Sequence, residues 1–188
     1  MNVVSIIRDL EAEGVLFDVG LNDQEFEAIE KLYDLKFPPD LRAFLAMGLP
    51  ISHSFYNWRD LSEKNLADTK HMLERPLLGI LFDIEENNFW WDNWGPRPKQ
   101  VDEAKEICRI EFAKAPKLVP ILSHRYIPSE PFEEGNPVFS IHQTDIIYYG
   151  CDLSDYFSHE FHLESFQKSP SPLKEIRFWS DLVDLNNE

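Results

Sequence analysis

The sequence predicts an α+β fold in a single domain, with helices packed on a curved, largely antiparallel sheet. Four stretches carry the prediction. Leu118 to Leu122 is apolar throughout, and Val138 to Gln143 alternates partly, Phe139 and Ile141 on one face and Ser140 and His142 on the other, as a strand does. Asp152 stands before Leu153, Tyr156, Phe157 and Phe161, whose spacing of i, i+3, i+4 and i+8 is that of an N-capped helix. Near the start of the chain Asn22 and Glu25 form a capping box, with Leu21 and Phe26 placed as a hydrophobic staple. Strands and helices of this kind cannot each bury an apolar face alone, so the rest of the chain must cover them.

Taken in order, Asn2 to Glu13 reads as a short amphipathic helix with Val3, Ile6, Ile7 and Leu10 on one stripe, stopped by Gly14. Val15 to Val19 suits a short strand. Phe26, Ile29 and Tyr33 line the buried face of the capped helix, and Phe37-Pro38-Pro39-Asp40 ends it and starts another, since proline is tolerated in a first turn. Leu41, Phe44 and Leu45 are the apolar side of that helix, and Gly48 is placed as its C′ residue. Ser62 to Glu74 reads as a polar helix ended by Pro76, followed by an apolar segment, Leu77 to Ile84, that suits a strand or a buried turn. Val101 to Ala113 is a helix closed by Pro116. Ile146 to Tyr149, apolar without alternation, suits burial on both sides. Ser169-Pro170-Ser171-Pro172 is a linker-like break, and a last short helix starts at Ser180, whose side chain can cap it. Residues 1–20 thus add a helix and a short strand to a domain spanning 21–188.

Charge narrows the function classes. The chain carries 18 Lys+Arg against 34 Asp+Glu, a net charge of −16, which disfavours nucleic acid or an anionic membrane as a partner and favours a basic protein. Two stretches free of Lys and Arg concentrate the acidity: Asp83, Glu85, Glu86 and Asp92 between Arg75 and Arg97, and Glu130, Glu133, Glu134, Asp145, Asp152, Asp155, Glu160 and Glu164 between Arg125 and Lys168. Solvated turns and helix N-termini are the plain explanation of such stretches; the sharper reading is an acidic docking face for a basic partner, drawn from Glu85, Glu86, Asp92, Glu133, Glu134, Asp152 and Asp155. Cys108 and Cys151 are too few for a disulfide framework and fit reduced thiols. The apolar start, Val3, Val4, Ile6 and Ile7, is interrupted by Arg8, Asp9 and Glu11, so a cytoplasmic protein without a signal peptide or membrane span is expected.

LNDQEFEAIEKLYDLKFPPDLRAFLAMG, FYNW, GILFDIEENNFWWDNWGPRP, APKLVPILSHRYIP and NPVFSIHQTDIIYYGCDLSDYF together resemble SUKH superfamily domains, in the branch of the Smi/Knr cell-wall-assembly-regulator-like proteins of bacteria, over about residues 21 to 163. The resemblance implies an α+β domain without known catalytic residues that serves as an immunity protein against a polymorphic toxin, a nuclease among the candidates. Its alternative is a cytosolic adaptor or regulatory protein of the Smi/Knr type with no toxin partner.

The remaining candidate sites have plain structural readings beside them. His159-Glu160-Phe161-His162, with His142 and Glu164 at hand, suggests a metal, but the histidines stand at i, i+3 rather than the i, i+4 of the zinc-protease helix. His124-Arg125-Tyr126 suggests a base beside a cation, or a strand-end polar cluster pairing with carboxylates. Trp90, Trp91 and Trp94 can stack a ligand, but at least two are expected to be largely buried. No enzyme, cofactor or metal is predicted.

Overall fold

The structure, a computed structural model, describes residues 2–52, 54–163 and 173–187. In chain order its elements are α1 (Val3–Ala12), β1 (Phe17–Val19), α2 (Asp23–Tyr33), α3 (Pro39–Met47), β2 (Gly48–Pro50), α4 (Glu63–Glu86), a 3-10 turn (Asp92–Trp94), α5 (Val101–Phe112), β3 (Leu118–Leu122), β4 (Arg125–Pro128), β5 (Val138–His142), β6 (Asp145–Gly150), α6 (Leu153–Glu160) and α7 (Trp179–Asn187). β3 to β6 form an antiparallel meander in sequence order, and β1 pairs with β2 in a separate antiparallel ribbon.

The pleat of the meander sends alternate side chains to opposite faces, and both faces are covered. Val119, Ile121, Ile127 and Val138 enter one core with residues of α1, α2, α3 and α6. Leu118, Tyr126, Phe139, Ile141 and Ile146 enter a second, closed by the C-terminal half of α4, by α5 and by α7. The protein is an α+β domain with helices on both sides of an antiparallel sheet. α1 belongs to the first core: Ile6 and Leu10 are both 0% exposed, each contributing about 1.5–3 kcal/mol of burial as an upper figure. The capping box of α2 is present in both directions, Asn22 accepting from Glu25 N–H and Glu25 from Asn22 N–H. Among the described residues no helix is long and apolar enough to cross a membrane.

Several expectations are corrected. The polar helix after Ser62 does not stop at Pro76 and no strand follows; α4 runs 24 residues through the proline. An interior proline removes the bond to the carbonyl four residues back. That carbonyl, Met72 O, is taken instead by the hydroxyl of buried Tyr126 at 2.9 Å. Gly48 does not close α3 in a left-handed turn; its φ of −164° is extended, and it opens β2. β6 is the edge of the meander, so Ile146 is buried but Ile147 is 47% exposed, and the segment is not covered on both sides. The last helix starts one residue before Ser180, which lies inside it; the Ser180 hydroxyl accepts from Ile176 N–H, while Asp181 accepts from Phe178 N–H. Ser169-Pro170-Ser171-Pro172 and Glu164 lie outside the described residues.

Candidate functional site

The seven carboxylates expected to form one docking face fall in separate places. The β5–β6 register sets two ends of the sheet, with His142 opposite Asp145 at one and Val138 opposite Gly150 at the other. Glu133 and Glu134 precede Val138 and lie, with Asp152 and Asp155 after Gly150, at the second end. Glu85 and Glu86 close α4, which is tied to the first end through Asp83: its carboxylate accepts from Thr144 N–H at 2.8 Å and Thr144 Oγ1 at 2.6 Å. Gly79 lets α4 come this near, since a Cβ there would stand 2.7 Å from Gln143 Cα. The five residues of β5 separate the two ends by about 17 Å at a strand's rise, roughly twice the Debye length of ~8 Å at physiological salt. They are two acidic sites, not one. Asp92 opens the 3-10 turn that follows α4.

Burial sorts the same residues. Glu85, Glu86, Asp92, Glu133 and Glu134 are exposed. Glu85 pairs with Lys105, and Glu133 with Lys174 at 2.7 Å, whereas Glu86, Asp92 and Glu134 have no ion pair among the described residues. Asp152 and Asp155 have local structural work. Asp152 caps α6 by accepting from Asp155 N–H at 2.8 Å, and Asp155 accepts from Cys151 N–H at 2.9 Å and Cys151 Sγ at 3.1 Å. Asp83, counted with the acidic stretch, is 3% exposed and belongs to the scaffold.

His124 and Arg125 form the strand-end cluster. Arg125 donates to Glu160 at 3.2 Å and to Ser140 Oγ at 2.8 Å, and its guanidinium lies 3.8 Å from the centre of the Tyr149 ring. Arg125 Nη1 also faces His124 Nε2. A guanidinium only donates, so Nε2 is the acceptor and the proton is assigned to Nδ1, directed at Ser123 Oγ 3.2 Å away. Burial first, then the charges of Arg125 and Arg75, holds the His124 pKa below its ordinary value.

His159 faces Tyr149 O at 3.4 Å and Asp155 at 3.7 Å, and Glu160 is engaged by Arg125. Among the described residues no group of three His, Cys, Asp or Glu side chains is arranged to hold a metal ion. Both cysteines are free thiols; burial pushes Cys108 up to about 12 and Cys151, with help from Asp155, up to about 11.

Trp90, Trp91 and Trp94 are each mostly covered without being fully buried, and all three pack against the second core, as packing residues do. They pack edge to face, Trp94 meeting Trp90 at 5.3 Å and 82° and Trp91 at 5.8 Å and 69°, and Trp91 and Trp94 both rest on Phe178. Rings at such angles make a packed cluster against the second core, not a flat stacking platform.

Two features had little signal in the sequence. Asp40, written into a proline turn, is 3% exposed and accepts from Gly135 N–H at 3.0 Å, tying α3 to the β4–β5 loop. An open groove of about 880 Å³ lies between α2 and that loop, with Phe132 on its lining; its walls are 83 or more residues apart in sequence at the Asp34–Lys117 pair, which no local pattern records. Comparison with family models, with curated proteins and with solved structures finds no match for this chain.

Proposed function

We propose that the protein is a non-catalytic binding protein, a SUKH-type immunity protein that neutralises a basic cognate toxin by direct contact. The observation that carries this reading is unpaired acidity at the surface: in a chain of net charge −16, Glu86, Asp92 and Glu134 face solvent without an ion pair among the described residues. The resemblance of residues 21 to 163 to immunity domains supports it. A nuclease toxin presents a basic surface to phosphate, so an acidic protein can occlude it and associate quickly by steering.

Co-expression with the product of an adjacent toxin reading frame tests the reading. Growth arrest by the toxin should be relieved, and the two proteins should purify together. Glu133→Lys with Glu134→Lys should slow association more than it speeds dissociation, with the difference shrinking as salt rises. Asp155 is left unchanged, because its carboxylate holds Cys151 N–H. Unrelieved arrest with no complex sinks the reading; an unchanged association rate sinks only its electrostatic part.

A further inference from the structure

The loop between β4 and β5 holds an aromatic ring in water. Phe132 is 62% exposed and stands among Glu130, Glu133 and Glu134, all exposed as well. The backbone around it is pinned. Ser129 N–H donates to Lys117 O at 2.8 Å, Glu133 N–H to Pro131 O at 2.8 Å, and Gly135 N–H to Asp40 Oδ2 at 3.0 Å. Asn136, 0% exposed, donates through Nδ2 to Pro128 O at 3.0 Å and Pro131 O at 2.8 Å. Lys174 bonds Glu134 O from the other side at 2.5 Å. A loop tied at this many points keeps the ring outside, and its apolar area leaves water only when another molecule covers it.

Phe132 lines the 880 Å³ groove together with Leu35, Glu27, Lys31 and Glu130. The other cations of the groove are engaged, Lys36 with Glu30, Arg42 with Asp23 at 2.8 Å and Lys117 with Asp34. Open carboxylates therefore outnumber open cations in the groove: among the described residues Glu27 and Glu130 have no ion pair, against Lys31. An exposed ring that shares a groove with open carboxylates selects one chemistry. Guanidinium stacks flat on the ring while its remaining donors reach the acids, which an ammonium does less well. We infer that Phe132 is the anchor of the partner interface and that the groove beside it receives an arginine-bearing segment of the partner protein. This rests on the binding reading above and adds the residue that carries affinity, since buried aromatic anchors dominate binding energy while rim charges mainly steer.

The test uses the full chain and a fluorescein-labelled octapeptide alternating arginine and leucine, titrated by fluorescence polarisation at about 0.15 M salt. Phe132→Ala should weaken binding by roughly tenfold or more, Phe132→Trp should retain it, and Glu85→Lys with Glu86→Lys, at the other end of the sheet, should change it less than about twofold. Thermal midpoints confirm that each variant is folded. The inference is overturned if Phe132→Ala binds like the parent, if the Glu85 and Glu86 reversal costs as much, or if the peptide does not bind. The toxin-protection assay separates the two readings. A Phe132→Ala protein that protects as well as the parent overturns this anchor and leaves the immunity function standing. A parent that fails to protect overturns the function, while the titration still decides the anchor.

Discussion

Replacing Tyr126 by Phe should expose how α4 survives its proline. Tyr126 is 0% exposed, and burial pushes its phenol above the ordinary range, so it remains a donor at every physiological pH. Its hydroxyl bonds Met72 O at 2.9 Å, the carbonyl that Pro76 leaves without an N–H. Phenylalanine keeps the ring and leaves no cavity, so the cost is that of one buried carbonyl losing its partner, about 1–3 kcal/mol. At a urea slope of about 2–3 kcal/mol/M, a cost near the middle of that range lowers the unfolding midpoint by roughly 0.5–1 M, read from tryptophan fluorescence. The cause is checked by a cycle with Pro76→Ala, which returns an N–H to Met72 O. In that background Tyr126→Phe should cost about 1 kcal/mol less. Equal costs in the two backgrounds would falsify the argument that the tyrosine substitutes for the missing helical bond.

Two further outcomes follow from a buried carboxylate and a close backbone approach. Asp40 has its pKa raised above 3.8, first by burial. Its folded value therefore exceeds its unfolded one, and the stability it contributes is present below the unfolded value and lost as pH rises through the folded value. The advantage of the parent over Asp40→Asn should thus shrink from about pH 4 upward; urea midpoints that stay in constant ratio across this range contradict it. Gly79→Ala, which in an open helix adds about 1 kcal/mol, should instead destabilise by about 1–3 kcal/mol, because the new methyl meets Gln143 Cα at 2.7 Å. A raised thermal midpoint would show that α4 can shift away from the hairpin.

Local chemistry determined much of this protein before any contact was known. Asn22 with Glu25, Asp152 before Leu153, and the apolar runs at Leu118 and Val138 specify their elements through bonds and periodicities that span a few residues. The acidity of the surface was legible in the same way, since charge is a property of composition. What the tertiary structure decided lies at separations no local pattern reaches. Pro76 reads as a stop until Tyr126, 50 positions on, supplies the donor that lets α4 continue; the bond spans |i−j| = 54 from Met72. Ile146 to Tyr149 reads as doubly buried until the strand order makes β6 an edge. One acidic face became two because the β5–β6 register sends neighbouring stretches to opposite ends of the sheet, and Asp40, Asp83 and Asp155 became scaffold because burial gave them backbone N–H groups to hold. Sequence sets which groups are charged or apolar; only packing sets which of them water still reaches, and Phe132 is left on the wet side.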